Sequence, residues 1–377
     1  MNRLRAALRR ASNPALRFNR PLVLFQSDDW GRVGVRDRDG WEELTAAGVN
    51  LGVKPYDFYS LETAGDLEAL AGTLRNHRDS AGRHPSIVMN FIMANVDFDN
   101  VDPAHNQIPL HPLTQGLPGK WHRPGLFDAY QAGIRDRLFY PALHGLTHFC
   151  EPAVSRELKI AGERSELVAK LWRAQTPYIH WRMPWIGFEY WDPEKKPARQ
   201  FLTISEQKEA ISRAADCFRT MFNSSPLSAC APGYRSNPDS KTAWSEAGVR
   251  VVQNGPGDRK ALYLDEREIL STFRAIEMEP ALGLCHVEQL MKQAEACFHA
   301  GVPAVVSIHS INFHSTIRDF RSPTLRLLND FLAALENKWP DLLYLNDSDL
   351  FSIATKGTYT GETGPVNVPV TSTGGHA

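Results

Sequence analysis

Short runs of β-branched and apolar residues alternate with segments of helical periodicity along most of the chain, and this alternation most constrains its fold. Residues 304–308, AVVSI, are typical of a buried strand, whereas residues 64–77 place their leucines on one face of a helix. Strands that alternate with helices in this way are usually parallel. The pattern therefore predicts an α/β domain with a largely parallel sheet, either open or closed into a barrel.

The same periodicity sets the expected elements. The predicted strands are residues 21–26, 86–96, 137–143, 227–231, 249–253, 304–308 and 342–345. The predicted helices are residues 64–77, 154–172, 203–222, 239–247, 286–300 and 323–336. Thr203 and Glu206 have the spacing of a capping box and predict the start of one of these helices.

Two stretches interrupt the alternation. Residues 98–135 are rich in Pro, His and Gly, and residues 175–200 are dense in aromatic side chains. No repeat or linker divides the chain, so we expect one domain over residues 20–355 with these two insertions. A basic segment, residues 1–19, precedes it, and the Gly/Thr/Pro-rich residues 356–377 are expected to form a disordered tail.

The composition excludes several classes of partner. With 23% charged residues and a net charge of -1, the chain has no overall field that would attract nucleic acid or anionic lipid. Its longest apolar runs are far shorter than the roughly 20 residues of a membrane-spanning helix. The basic N-terminal segment lacks the apolar core of a signal peptide, and the five cysteines form no CxxC pair, which together predict a cytoplasmic protein. Weak contact of that segment with a membrane surface is the alternative to a solvated terminus.

Polar residues follow four of the predicted strands at their carboxyl ends, where functional residues gather in α/β folds. These residues are Asp28 and Asp29, His144 and His148, Tyr234 and Arg235, and His309. Each has an ordinary interpretation when taken alone, as a turn, a cap or a packed imidazole. Together they indicate a shared site. In a helical turn, the four-residue spacing of His144 and His148 would place both imidazoles on one face, where they can bind one ion.

The order of these motifs resembles that of the polysaccharide deacetylase superfamily, which includes chitin, peptidoglycan and nodulation-factor N-deacetylases. The sequence SDDWG at residues 27–31 matches its paired-aspartate motif, and VVSIH at residues 305–309 matches its last motif. His144 and His148 match H-[ST]-x-x-H, with Gly145 where Ser or Thr is usual. The resemblance covers about residues 20–350. It implies a distorted (β/α)7 barrel carrying two loop insertions.

The resemblance also implies roles for the matched residues. Asp29, His144 and His148 would hold one divalent metal ion, most often zinc, while Asp28 would be the general base and His309 the general acid. The implied reaction is hydrolysis of an N-acetyl group from a sugar or glycan, in the assembly of cell-surface polysaccharide.

Four further residues are expected to contact the substrate or the oxyanion at the same end of the barrel. These are Tyr234, through a nearby backbone N–H, Arg235, Asn95 and Trp30.

Two departures from the family's pattern leave positions open. The third motif lacks its arginine and reads APGY at residues 231–234, so Arg235 or Arg182 would have to orient the base from another position. The fourth motif, an Asp-Trp pair that tunes the acid histidine, has no clear match, and Asp258 is the nearest candidate.

Aromatic residues in the second insertion have two interpretations. Trp181, Trp185, Tyr190 and Trp191 would either stack on sugar rings or pack beneath a long loop.

Two rival functions also stay open. A glycoside hydrolase on a related barrel would cleave glycosidic bonds with carboxylates and no metal. A non-catalytic glycan-binding protein of the same fold would have lost the chemistry together with the third-motif arginine.

Overall fold

The computed structural model describes residues 14–101, 108–160, 162–177, 186–192, 194–256, 261–283 and 285–373. Its helices are α1 Arg38–Ala46, α2 Ala64–Arg75, α3 Leu126–Arg135, α4 Glu151–Leu158, α5 Glu163–Arg173, α6 Ile204–Phe222, α7 Pro238–Glu246, α8 Val287–His299, α9 Arg321–Lys338 and α10 Asp347–Lys356. Its strands are β1 Ala15–Phe18, β2 Leu22–Trp30, β3 Ile87–Ile92, β4 Ala94–Val96, β5 Leu110–Pro112, β6 Phe139–Gly145, β7 Glu189–Trp191, β8 Arg199–Phe201, β9 Ser228–Cys230, β10 Val251–Asn254, β11 Tyr263–Leu264, β12 Leu270–Phe273, β13 Ile276–Glu277, β14 Ala304–His309, β15 Leu343–Leu345, β16 Thr358–Thr360, β17 Pro365–Asn367 and β18 Val370–Thr373.

A single curved sheet forms the centre of the molecule. Its strand order is β11-β12-β10-β9-β6-β3-β2-β14-β13, and β15 also pairs with β2. All of these pairings are parallel except that of β11 with β12. The helices connect successive parallel strands, as the alternation in the sequence predicted.

The two ends of this sheet meet at one short segment. Only Arg274 and Ala275 separate β12 from β13, and their backbone amides bond to opposite ends of the sheet. The Arg274 N–H donates to the Asn254 carbonyl at the end of β10, whereas the Ala275 N–H donates to the Val305 carbonyl of β14. The sheet therefore curls into a ring, which confirms the predicted distorted (β/α)7 barrel.

Alternate residues of β2 show how the inside of the barrel is filled. Leu22 and Leu24 belong to a buried apolar cluster shared with other strands and with α10. The next inward-facing residues are polar, Gln26 and then Asp28, and both are buried. The interior thus changes from apolar to polar towards the carboxyl ends of the strands, where a site is expected.

The structure differs from the sequence prediction in one predicted helix and in the C-terminal tail, and it contains three helices that were not predicted, α1, α3 and α10. The predicted helix 154–172 is two helices, α4 and α5. Residues 358–373, expected to be disordered, form β16, β17 and β18, and β18 pairs with β1 near the other end of the described chain. Local composition does not reveal this order, because it depends on a distant partner strand and on burial of Tyr359 and Val368.

The two insertions contain short elements of their own. Residues 98–135 carry β5 and α3, and residues 175–200 carry the β7–β8 hairpin. Residues 1–13, which belong to the predicted basic segment, lie outside the described residues. Among the helices of the described ranges, none has the length and hydropathy needed to span a membrane.

Candidate active site

The two adjacent aspartates at the end of β2 both face the mouth of the barrel. Neighbouring residues of a regular strand point to opposite faces. Here the register between β2 and β3 shifts between Ser27 and Trp30, and Asp29 has a φ of 76°. A bulge of this kind re-aims a side chain, and positive φ at a residue other than glycine is a strain that is common at functional sites. The bulge brings Asp28 and Asp29 together at one site.

Asp29 lies against the two histidines that the sequence predicted as its partners. Its Oδ1 is 3.1 Å from His148 Nε2 and 3.5 Å from His144 Nε2. One ligand atom from each of the three residues falls within 4.8 Å of the others. These three residues, called the metal-site cluster below, form an Asp/His group that could hold a cation.

The local backbone of the two histidines is not the helical turn considered from their spacing. His144 belongs to β6, and His148 follows in the loop after the strand. Gly145 between them has a φ of 148°, and a Cβ placed there would lie 3.3 Å from the Thr147 carbonyl oxygen. Glycine adopts this conformation without strain, which explains why it stands where Ser or Thr is usual in the family.

The metal-site cluster has the donor groups that a divalent cation requires. The His144 Nδ1–H donates to the Cys230 carbonyl at 3.0 Å, so its Nε2 lone pair faces Asp29. Burial and the nearby Arg32 lower the pKa of His148 to about 4, which keeps that imidazole neutral. Asp29 Oδ1 is buried and accepts no hydrogen bond of standard geometry from the described residues. One carboxylate and two imidazole nitrogens fit a transition-metal ion.

Asp29 is also paired with an arginine from its own turn. Arg32 Nη1 lies 3.1 Å from Asp29 Oδ2, on the side away from the histidines. Burial alone would raise the pKa of Asp29, but Arg32 and the two imidazoles hold it well below its usual range. Asp29 therefore keeps its negative charge, with Oδ1 turned towards the histidines.

Asp28 forms a buried bidentate ion pair with Arg274, a residue that the sequence reasoning did not single out. Arg274 Nη2 lies 2.5 Å from Asp28 Oδ1, and Nη1 lies 2.9 Å from Oδ2. Burial opposes ionisation of Asp28, but Arg274 outweighs it and holds the pKa of the carboxyl below its usual value. Arg274 is only 2% exposed, so this pair is shielded from solvent.

Arg274 occupies the role for which the sequence suggested Arg235 or Arg182. Arg235 instead bonds Glu189 on β7, with Nε 3.1 Å from the carboxylate, because the tight turn at residues 232–234 directs it outwards. Arg182 lies outside the described residues, as does Trp185. A usable signal existed, since an arginine inside the β-rich run LSTFRAIE at residues 270–277 is unusual for a buried strand.

His309 ends β14 and lies beside Asp28, its register partner on the neighbouring strand β2. Its Nε2 lies 3.8 Å from Asp28 Oδ2, and its Nδ1–H donates to Glu279 Oε1 at 2.6 Å. Burial lowers the pKa of His309, but Glu279 outweighs burial and raises it to about 9. His309 is therefore protonated at neutral pH. Glu279, just after β13, was also missed by the sequence reasoning, and Asp258 lies outside the described residues.

The remaining predicted contacts have other partners. The Tyr234 N–H donates to the Ala231 carbonyl at 2.8 Å, so it is not available to an oxyanion, and the Tyr234 hydroxyl accepts from Arg274 Nη1 at 2.9 Å. Tyr234 thus supports Arg274. The Arg235 N–H is likewise used within the turn, by Pro232.

Trp30 and Asn95 are both buried and have partners within the protein. Trp30 is fully buried and stacks on Phe313 with ring centroids 5.8 Å apart. Asn95 accepts from the Val33 N–H at 3.1 Å and donates to the Gly31 carbonyl at 3.0 Å. It therefore fixes the turn that follows the two aspartates.

A cleft of about 360 Å³ opens beside His309. Its walls include His309, Glu279 and Tyr234, with Gln289 and Gln293 of α8 opposite. A second cavity, of about 400 Å³, lies at the other end of the barrel between β6 and β9, away from the charged residues of the site. Of these two cavities, the first is the one lined by His309 and its partner Glu279.

No protein-family profile matches this chain, and no curated protein does. Among solved structures, it is similar to a Mycobacterium smegmatis protein assigned as a polysaccharide deacetylase, at 11% identity and a TM-score of 0.50, over 91% of this chain and 95% of that one. Puue allantoinase is similar at 10% identity over 90% and 92% of the two chains, with a TM-score of 0.47. A family 4 carbohydrate esterase from Streptomyces lividans, in complex with acetate, is similar at 11% identity over 85% and 90%, with a TM-score of 0.35. At such low identity the Mycobacterium structure shows a shared fold, and the other two add no argument.

Proposed function

We propose that this chain is a metal-dependent hydrolase that removes an N-acetyl group from a carbohydrate. The observation that carries the proposal is the adjacency of the metal-site cluster to an ionised carboxylate, Asp28, and a protonated imidazole, His309. These are the groups that amide hydrolysis requires. The fold shared with the Mycobacterium protein supports the same reaction class.

Asp29, His144 and His148 would hold the metal, for which zinc suits the donor set best. When bound, a divalent cation there would polarise the acyl carbonyl and lower the pKa of a water ligand. Asp29 contributes a fixed negative charge, and the His144 Nδ1–H bond to Cys230 keeps its Nε2 directed at the site.

Asp28 acts as the general base. Its Oδ1 accepts from Arg274 Nη2 and from Asn90 Nδ2 at 2.8 Å, whereas Oδ2 accepts from Arg274 Nη1 and weakly from Cys230 Sγ, and lies 3.8 Å from His309 Nε2. Oδ2 is therefore the atom that takes the proton from the attacking water. Positioned proton transfer of this kind is worth about 10²–10⁴-fold in rate.

His309 acts as the general acid. Glu279 holds its Nδ1–H and keeps the ring protonated, so Nε2–H can deliver a proton to the amide nitrogen as the C–N bond breaks. The water proton passes to Asp28 and the His309 proton passes to the departing amine. The products are acetate and the free amino sugar, and both residues return to their starting states after proton exchange with solvent.

The proposed substrate is an N-acetylated sugar or glycan of cell-surface polysaccharide assembly, bound in the cleft beside His309. Its hydroxyl groups would meet the carboxamides of Gln289 and Gln293, which line the opposite wall. Hydrogen-bonding side chains of this type suit a polyhydroxylated ligand.

Acetate release from a panel of N-acetylated oligosaccharides and sugar nucleotides tests the proposal. Zinc-loaded protein should release acetate, and Asp28→Asn or a chelator should reduce the rate by at least about 10²-fold. Cleavage of glycosidic bonds that survives the chelator would favour a glycoside hydrolase instead. Glycan binding without turnover across the panel would favour a non-catalytic protein. The missing third-motif arginine was the reason to consider that rival, and Arg274 supplies the same contact to Asp28.

A further inference from the structure

A line of buried polar side chains runs through the barrel from Asp28 towards its opposite end. Asn90, Gln253 and Asp347, called the polar column below, are each at most 2% exposed. They come from β3, β10 and the first residue of α10. Interiors of small barrels are usually packed with branched apolar side chains, so three buried polar residues in contact need an explanation.

The upper end of the polar column contacts the proposed base directly. Asn90 Nδ2 donates to Asp28 Oδ1 at 2.8 Å. Gln253 Oε1 accepts from Arg274 Nη2 at 3.1 Å, and Arg274 is the bidentate partner of the same carboxylate. Asn90 and Arg274, the two groups that bind Asp28 Oδ1, are therefore both in contact with Gln253.

The two amides of the column bind each other reciprocally. Asn90 Nδ2 donates to Gln253 Oε1 at 2.8 Å, and Gln253 Nε2 donates to Asn90 Oδ1 at 2.9 Å. In such a pair the orientation of one amide dictates the orientation of the other. If Gln253 turned over, its NH₂ group would face the NH groups of Asn90 and Arg274, and these donors would lose their acceptor.

Asp347 fixes which way Gln253 points. Its carboxylate accepts from Gln253 Nε2 at 2.8 Å, from Gln26 Nε2 at 2.8 Å and from the Ser228 hydroxyl. Each of these three side chains donates to Asp347, so the carboxylate requires the NH₂ side of Gln253 and leaves Oε1 for Arg274. The donor–acceptor direction set at Asp347 is thus transmitted through Gln253 to both partners of Asp28.

We propose that Gln253 and Asp347 are positioning residues for Asp28, which fix the orientation of its carboxylate through Asn90 and Arg274. The inference rests on the proposed function for its catalytic readout. Neither residue touches the reacting atoms. Their contribution is to keep Asp28 Oδ2, the oxygen nearest to His309 Nε2, in its position at the site.

The chain provides a matched control. Gln26 is buried like Gln253 and donates to the same carboxylate of Asp347, but it also donates to the Thr272 hydroxyl, at 3.3 Å. Replacing either glutamine by methionine removes one buried amide and one donor to Asp347. Only the Gln253→Met change removes the acceptor for Arg274 and the partner of Asn90.

The experiment compares Gln253→Met with Gln26→Met in zinc-loaded protein. We expect Gln253→Met to lower kcat by about 10–100-fold, because a misplacement of about 1 Å has effects of this size. KM and zinc stoichiometry should stay at the wild-type values. Gln26→Met should keep kcat within about twofold of wild type, while both variants lose thermal stability, Gln253→Met the more because it leaves buried donors without an acceptor. Equal loss of kcat in both variants, or full kcat in Gln253→Met, would overturn the proposal.

Asp347→Asn provides a second test if Gln253→Met does not fold. It keeps the shape of the side chain but removes the requirement for a donor from Gln253, so kcat should fall several-fold at constant KM. An unchanged kcat contradicts the proposal.

Crystal structures of wild type and variants separate this inference from the proposed function. If wild type releases no acetate from any substrate, the function fails, but a rotated Asp28 carboxylate in the variant still supports positioning and an unmoved one refutes it.

Discussion

The two halves of the site are built from different kinds of sequence information. The metal-site cluster draws on two short motifs, with Asp29 from one and the pair His144 and His148 from the other. The proposed acid–base half pairs Asp28 and His309 with Arg274 and Glu279, which belong to no motif that the sequence revealed. Reactive groups are thus visible in the sequence, whereas the residues that set their charge and direction emerge only from the fold.

The largest expected effect comes from removing a metal ligand. His148→Ala should abolish stoichiometric zinc binding and lower acetate release by more than about 10³-fold, since a Lewis acid contributes several kcal/mol to the transition state. Metal content is measured beside the rate. Removal of the exposed His299, at the end of α8, should change neither quantity. Full zinc occupancy in His148→Ala would show that this half of the site is assigned incorrectly.

The next effect separates the two halves. Arg274→Lys keeps the positive charge but loses the bidentate geometry, so kcat should fall by about 10–10²-fold while zinc affinity stays near wild type. Arg235→Lys is the matched control, because Arg235 was the sequence-based candidate and bonds Glu189 instead. If Arg235→Lys has the larger effect on kcat, the sequence interpretation was correct and the geometry described here is not the active one.

These residues show how much of the fold and of the site could be predicted from the sequence. The alternation of strands and helices predicted the barrel, since each β-rich run is continuous and buried. The motif residues were found because each stands at the end of such a run. Arg274 was missed because it lies inside a run, at the point where the strand changes partners from β10 to β14. Trp30 and Asn95 were predicted as ligand contacts because position along the chain does not show which way a side chain faces after a bulge.

A smaller effect should appear in the pH dependence of kcat/KM, through the proposed acid His309. The pKa of His309 is about 9, so His309 is protonated below that pH and loses its proton as pH rises through 9. Glu279→Gln removes the carboxylate that raises the pKa of His309. The alkaline limb of kcat/KM should therefore move down towards the ordinary imidazole pKa of about 6.5. Activity should then be close to wild type at pH 6 and reduced about tenfold or more at pH 8. Glu295→Gln, on the exposed face of α8 beside Lys338, should leave the profile unchanged.

The smallest expected effect concerns the backbone that sets the metal-site cluster. Gly145→Ala places a Cβ at a φ of 148° and 3.3 Å from the Thr147 carbonyl oxygen, so the chain between the two histidines has to shift. We expect a loss of about 1 kcal/mol in the free energy of unfolding and a several-fold weaker zinc affinity. The alkaline limb of kcat/KM, which reports His309, should not move.

Gly72→Ala is the control, with an effect of opposite sign on stability, because Gly72 is exposed in α2 with open space around its Cβ position. It should stabilise the protein by about 0.5–1 kcal/mol. Thermal unfolding and zinc titration of both variants measure the two effects. A change in the His309 limb of Gly145→Ala would show that the two halves of the site are mechanically coupled rather than separable.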